Sequence, residues 1–181
     1  MQKVIIISSP SGCGKDTIVS NLLQKVPYSR RIITSTTRQP RDYEQHGKNY
    51  HFISKEEFLD LIENNQFLEW QDVHGELYGT TLSEFEKDSS VSFVILDVLG
   101  AMRIKKLILK QPTLIFLKPP SKDELKRRLK MRKTEDEKQI EKRLERFDME
   151  IHMSNLFDYS FVNSDIEETT NAIIDIIQSQ K

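Results

Sequence analysis

Residues 4–17, VIIISSPSGCGKDT, are an apolar run that breaks into a short turn rich in Gly and Ser and ends just past a lysine. The order reads as a buried strand (Val4–Ser8), a phosphate-cradling loop and a helix beginning at Lys15. In such a layout the amides of the turn converge on phosphate oxygens. The helix start adds unpaired N–H groups and a partial positive charge, and the lysine supplies a mobile full charge. Ser11, Gly12, Cys13, Gly14, Lys15, Asp16 and Thr17 are therefore the candidate phosphate-binding stretch. Gly14 and Lys15 fit the pattern G-x-x-x-x-G-K-[ST], but Ser9 stands at the first glycine and Asp16 at the final hydroxyl. Cys13 lies at a helix start, where a thiolate is favoured, or serves only as a small residue in a tight turn.

Outward from this stretch, short apolar runs alternate with amphipathic segments, which predicts an α/β fold with a mostly parallel sheet wrapped by helices. The expected sheet strands are Val4–Ser8, Arg31–Thr34, Ser92–Asp97, Thr113–Leu117 and Tyr159–Val162. The expected helices are Lys15–Lys25, Ala101–Leu109, Ser121–Met131 and Asp165–Ser179. Pro119-Pro120 ends one strand, and Ser121 with Glu124 three residues later fits a capping box. Two insertions differ in texture. Residues 35–85 hold short strand-like segments (YHFI, FLEWQDV, ELYGTT) around an amphipathic helix, a small α+β unit. Residues 130–150 carry dense charge of both signs and spaced arginines, read as a solvated helical hairpin or a mobile lid bringing Arg132 and Arg143 over phosphates. The core is then 1–34, 86–129 and 151–181 of one domain.

The chain has 181 residues, 37% of them hydrophobic and 30% charged, with a formal net charge of -1 and one cysteine. That length suffices for a real core without staples. The near-neutral charge argues against bulk attraction to nucleic acid or an anionic membrane, so any anion site must be local. A single cysteine rules out an internal disulfide framework. No apolar run approaches the roughly 20 residues of a membrane span, and the first strand follows too closely on Met1 for a signal-peptide core. A cytoplasmic protein, monomer or homodimer, is expected.

The loop Ser35-Thr36-Thr37-Arg38-Gln39-Pro40-Arg41 sets two arginines three residues apart beside a proline, a spacing that lets both fork onto one phosphate. Glu44, Gly47 and Tyr50 continue it, and Glu69, Tyr78, Gly79 and Thr80 follow beyond the helix. On STTRQPRDYEQHGKNYHF, FLEWQDVHGELYGTT, FLKPPSKDELKRRL, MRKTE, IEKRL and VNS, nearly the whole chain resembles the guanylate kinases, P-loop enzymes that phosphorylate GMP with ATP. The resemblance implies that Ser35, Arg38, Arg41, Tyr50 and Tyr78 hold the acceptor's phosphate, and that Glu44 and Gly79 also belong to the GMP site. It implies that Glu69 and Thr80 read guanine. A carboxylate can accept from both N1–H and the exocyclic amine of that base. The resemblance also sets Lys15, Arg38, Arg132 and Arg143 around the transferred group, the loop 11–17 on ATP, Asn163 near adenine and Asp97 on the metal or acceptor side, with Mg²⁺ as cofactor.

The sequence departs from the family's pattern in several places. Asp16 stands where a hydroxyl usually helps to hold Mg²⁺; either it binds the metal through water or Thr17 substitutes. A Lys-Asp pair there also resembles ribose 1,5-bisphosphate phosphokinase. At Leu96–Ala101 the expected alignment loses two residues, including a second acidic residue that helps to read the base. Tyr43 replaces a glycine, Asn49 an aspartate and Lys133 a glycine. Three readings follow: a guanylate kinase acting on GMP and dGMP, a kinase for another phosphorylated acceptor, or a non-catalytic binding module of the same fold.

Overall fold

The structure, a computed structural model, describes residues 3–73, 75–107, 111–131 and 137–179. The chain runs β1 (Lys3–Ser8), α1 (Lys15–Lys25) and β2 (Ser29–Arg31), then enters an inserted unit of β3 (Ser35–Thr36), β4 (His51–Phe52), α2 (Lys55–Glu63), β5 (Phe67–Val73), β6 (Glu76–Thr81) and α3 (Leu82–Phe85). It returns through β7 (Val91–Ile95), α4 (Val98–Leu107), β8 (Thr113–Lys118), α5 (Lys122–Met131), α6 (Glu137–Glu145), α7 (Phe147–Met153), β9 (Tyr159–Val162) and α8 (Ile166–Ser179).

The core sheet is parallel in every pairing, in the order β2-β7-β1-β8-β9. A parallel sheet covered on both faces needs strands that are apolar throughout. Ile5, Ile6 and Ile7 are fully buried, as are Phe93, Val94 and residues Leu114–Leu117. Alternation divides them: Ile5 and Ile7 pack against Ile18, Val19 and Leu22 of α1 and Ile173 of α8, while Ile6 meets Ala101 and Ile104 of α4 on the other face. β1 is central, so the loop after it opens at the carboxyl edge where ligands of open α/β sheets sit. A third cluster, Cys13 with Leu125, Leu129 and Ile140, fastens that loop to α5 and α6.

Boundaries moved where local contacts outcompeted propensity. The strand expected over Arg31–Thr34 is β2, two residues earlier; the Ile32 amide still reaches Phe93 O at 2.8 Å, while the Ile33 amide, facing away from the sheet, goes to the Glu84 carboxylate at 3.2 Å. The Thr34 carbonyl then accepts from the His51 amide at 2.9 Å, inside the insertion. Helix α4 starts at Val98, three residues before the expectation, and Leu109 lies outside the described residues. Of the capping box at Ser121, one half forms: Ser121 Oγ accepts from the Glu124 amide at 3.0 Å, whereas the Glu124 carboxylate turns to Arg127 and Arg128.

The inserted unit is a four-stranded sheet, β4-β3-β6-β5, with β5 and β6 a hairpin. Helix α2 covers it, burying Phe58, whose ring stacks on Phe67 at 4.4 Å. A capping box at Ser54 and Glu57 starts α2. Gly79 is required by close approach: a methyl there would lie 2.8 Å from the Phe67 ring and 3.0 Å from the Glu69 carbonyl oxygen. Gly79→Ala is therefore expected to lower stability by about 1–3 kcal/mol, read as a reduced urea midpoint with an unchanged slope. An unchanged midpoint contradicts this packing.

Candidate active site

The loop between β1 and α1 turns through Gly12 (φ 98°) and Gly14 (φ 85°), left-handed angles that favour glycine. Gly12 also backs onto Leu125 and Leu129, each 3.1 Å from where a Cβ would stand. Gly14 is the N-cap of α1 and caps it with no side chain, so the helix start remains open to an anion. Lys15 Nζ folds back over the loop and donates to Ser9 O at 3.0 Å, Ser9 Oγ at 2.9 Å and Pro10 O at 3.4 Å. Ser9 takes the first-glycine position without a positive φ, and its hydroxyl helps to hold the lysine. Cys13 is not the reactive thiolate that its position allowed: it is fully buried, and burial pushes its thiol pKa up despite nearby Lys15. Its carbonyl accepts from Asn163 Nδ2 at 2.6 Å, while Asn163 Oδ1 is buried without a hydrogen-bond partner. Thr17 is exposed on α1 and lines neither cavity described below.

A polar cavity of about 90 Å³ lies between this loop and the inserted unit. Ser11, Gly12, Gly14, Lys15 and Asp16 form one wall; Arg38, Arg41, Tyr50, Tyr78 and Arg143 form the other. Glu44 organises the arginines: its two oxygens accept from Arg38 Nη2, both at 2.9 Å, and one accepts from the Arg41 amide at 2.8 Å. The Arg38 guanidinium also lies 5.6 Å from the Tyr50 ring centre. Tyr50 meets the Tyr78 ring edge to face at 6.0 Å, and burial pushes its phenol pKa up, so it presents a hydroxyl donor. Arg143 of α6 crosses from the 130–150 segment to donate to Ser11 Oγ.

A second cavity of about 150 Å³ shares Ser11, Lys15, Tyr50, Tyr78 and Arg143 with the first and runs deeper, to Glu69, Gln71, Gly79 and Asp97. Glu69 Oε1 accepts from Thr80 Oγ1 at 2.8 Å. Asp97 Oδ1 accepts from Gln71 Nε2 and from the Gly100 amide, and Oδ2 from Arg146 Nη2 at 3.1 Å. Glu69 and Asp97 converge: a methyl on Gly100 would lie 3.2 Å from Glu69 Oε2 and 3.3 Å from Asp97 Oδ1. Asp97 is thus the acidic residue that stands beside Glu69 in this corner. Burial pushes the Glu69 carboxyl up to about 7, against the Thr80 hydrogen bond and with the charge of Asp97 adding to the rise. Burial likewise raises Glu150 to about 7, opposed by Lys15 and Arg146.

Most of the expected site residues come together. Arg132 lies outside the described residues. Ser35 is buried in β3, opposite Gly79, and lines neither cavity; its neighbour Thr34 lines the larger one. Thr34, Gln71, Arg146 and Glu150 were not singled out from sequence. Gln71 was visible in outline, because it lies two residues after Glu69 on the same face of a strand. Arg146 and Glu150 were visible as positions three and seven after Arg143 on helical segments.

Such a cleft is built to hold two phosphate-bearing molecules end to end, and with the parallel sheet behind it the chain falls among the P-loop phosphotransferases. The guanylate kinase family profile matches residues 1–180. A guanylate kinase of Prochlorococcus marinus is 42% identical over 181 residues, covering 98% of both chains, and one from Helicobacter hepaticus is 41% identical over 182 residues, covering 98% of this chain and 90% of the relative. The crystal structure of guanylate kinase from Anaplasma phagocytophilum superposes with a TM-score of 0.81 at 30% identity, covering 99% of this chain and 86% of that one. A shikimate kinase from Bacteroides thetaiotaomicron shares the fold, with a TM-score of 0.57 at 14% identity. The chain belongs to the guanylate kinase family.

Glu69 yields a pH test. A carboxyl whose folded pKa of about 7 exceeds the unfolded value of about 4.3 binds its proton more tightly when folded. Its stabilising contribution is complete below the unfolded value and is lost as pH rises toward 7. The stability of the empty protein relative to Glu69→Gln is therefore expected to fall across that interval in thermal unfolding. A pH-independent difference contradicts the burial of this carboxylate.

Proposed function

We propose that this protein transfers the terminal phosphoryl group of ATP to GMP, and to dGMP, giving ADP and GDP or dGDP. The observation that carries the reading is the convergence of Glu69 and Asp97 at the closed end of a cavity whose other end is cationic. Paired carboxylates suit the N1–H and 2-amino donors of guanine, which adenine lacks on that edge. Thr80 orients Glu69, and Gln71 with the Gly100 amide orients Asp97. The base reader and the phosphate binders stand in adjoining cavities, as a nucleoside monophosphate requires.

In this reading Arg38, Arg41, Tyr50 and Tyr78 hold the acceptor phosphate, with Glu44 fixing the arginines and Thr34 on the cavity wall. The loop 11–17, Lys15 above all, holds the donor phosphates, and Asn163 lies on the adenine side. Lys15, Arg38 and Arg143, with Arg132, neutralise charge on the transferred group. Phosphoryl transfer is mostly positioning and charge neutralisation, so no histidine base is needed. The boundaries expected from sequence become working units: core 1–34, 86–129 and 151–181, acceptor unit 35–85 and lid 130–150. Closure of the lid keeps water from competing with the acceptor.

The family implies a divalent metal, for which we propose Mg²⁺. The residues present fit a lightly held ion: Asp16 offers hard oxygen on the cavity wall, and among the described residues no group of three or more acidic, His or Cys side chains forms a cage. Asp16, with Thr17 nearby in sequence, would be its protein contact, the rest coming from substrate phosphates and water. Bound there, the ion supplies charge neutralisation along the donor phosphates. The proposal extends to a cytoplasmic monomer or homodimer. The one cysteine is a buried free thiol, which suits a reducing compartment, and no described helix is long and apolar enough to cross a membrane.

A coupled ADP assay across GMP, dGMP, AMP, UMP and ribose 1,5-bisphosphate tests the assignment, with turnover expected for the guanine nucleotides alone. Turnover confined to the ribose bisphosphate, or none with GMP, overturns it. Lys15→Met is expected to lower kcat by about 10²–10³-fold with the melting temperature retained. Activity within threefold of wild type, on the order of RT, contradicts the placement of Lys15 at the donor phosphates.

A further inference from the structure

Asp16 is an unusual occupant of a phosphate loop, since a carboxylate there repels the phosphates that the loop attracts. In the structure it is partnered from outside the loop. Arg31, the last residue of the edge strand β2, sends Nη1 to Asp16 Oδ1 at 2.9 Å and Nη2 to the carbonyl oxygen of Asn49 at 3.1 Å. The Arg31 side chain is only 11% exposed, whereas that of Asp16 is 58% exposed. The guanidinium is thus the buried middle of a three-part link. At one end is the N-terminal turn of α1, on the donor side. At the other is the peptide preceding Tyr50, whose ring packs beneath Arg38 and against Tyr78 on the acceptor side.

The turn that receives Arg31 is internally braced. Lys48 and Asn49 amides donate to Gln45 O at 3.2 and 3.1 Å, the Gly47 amide donates to Tyr50 O at 2.9 Å, and Asn49 Oδ1 accepts from the Gln45 amide at 3.0 Å. Because the turn is rigid, holding one carbonyl of it fixes where Tyr50 stands. Arginine suits the task, since its planar fork serves two acceptors at once and its charge neutralises Asp16.

We propose that Arg31 is a positioning residue that ties the donor loop to the acceptor loop through Asp16 and Asn49, setting the distance between the two substrate sites. This rests on reading the cleft as a two-substrate site. Arg31 touches neither substrate; it acts through Tyr50 on one side and Asp16 on the other. It also gives Asp16 a second task beside the metal contact proposed above: anchoring the strut through Oδ1.

The test combines a readout that needs no turnover with one that does. Hydrogen exchange on the empty protein follows the amides of Gly47, Lys48 and Asn49, and steady-state kinetics with Mg-ATP separate KM for GMP from kcat. Arg31→Ala is expected to speed exchange at these amides about tenfold and to raise KM for GMP about tenfold, a loss comparable to one charged hydrogen bond, with kcat within about threefold. Arg31→Lys, which keeps a cation beside Asp16 but not the fork, should fall between wild type and Arg31→Ala. Adding Asp16→Asn to Arg31→Ala should worsen neither readout, because both act through one link. The proposal is overturned if Arg31→Ala leaves exchange at its wild-type rate, if the two substitutions multiply, or if Asp16→Asn shifts only the Mg²⁺ requirement. If wild-type protein fails to phosphorylate GMP, the functional reading falls while the exchange data still decide whether the strut exists.

Discussion

Gathering Lys15, Arg38, Arg41 and Arg143 around one small cavity is electrostatically unfavourable, and much of the molecule is arranged to tolerate it. Each cation has a local acceptor or carboxylate that fixes its direction. Backbone and hydroxyl oxygens of Ser9 hold Lys15, Glu44 holds Arg38 and the Arg41 backbone, and Ser11 receives Arg143. Lys15, Arg38, Arg41 and Arg143 outnumber the one carboxylate on the cavity's lining, Asp16, which leaves the cavity positive. A site organised this way needs little rearrangement when anions arrive, the condition under which fixed charges are most effective.

The same constraint explains the division of the chain into a rigid core and an inserted unit. The parallel sheet can deliver one anion site, the loop after its central strand, because only there do open amides and a helix start coincide. A second site facing it must come from elsewhere, and the inserted unit supplies it: Arg38, Arg41 and Tyr50 on the loop between β3 and β4, and Tyr78 on β6. Glu84 joins the two bodies: it is buried at the junction, accepts from the Ile33 amide and pairs with Arg30 and Lys87, while Arg30 also donates to the carbonyls of Glu84 and Phe85. The third part, α6, α7 and the turn between them, reaches the core at two points, through Arg143 at Ser11 and Arg146 at Asp97. Ile140 of α6 also packs with Cys13, Leu125 and Leu129, so an apolar cluster fastens this part to the core as well.

The parallel core was legible from its apolar runs because strands buried on both faces leave no other pattern; Ile5–Ile7 and Leu114–Leu117 show it most plainly. The insertion was legible from texture, Arg38 and Arg41 from their spacing, and Glu69 from the family resemblance. What the sequence hid depends on contacts between distant segments. Past β2 the backbone is claimed by the insertion: Glu84 accepts from the Ile33 amide and the His51 amide donates to the Thr34 carbonyl. Thr34 lines the cavity in place of Ser35 because neighbouring strand residues face opposite ways, so an error of one position reverses the side chain. Asp97 was readable as an acidic residue near the site, but its role beside Glu69 depends on Gly100 allowing the two carboxylates to approach. The pairing of Asp16 with Arg31 left no local signature, since the partners lie on different elements and meet only in the folded chain.

In the proposed reading, a pair of carboxylates at the end of a cationic cleft recognises the donor edge of guanine. Calorimetric titration of the empty protein with GMP, IMP and AMP tests it directly, because IMP keeps N1–H but lacks the 2-amino group and AMP lacks both donors. Affinity is expected to fall in that order, by about tenfold or more at each step, the scale of one lost hydrogen bond to a charged acceptor. Equal dissociation constants for the three nucleotides would show that the phosphate alone is recognised and that the paired carboxylates do not read the base.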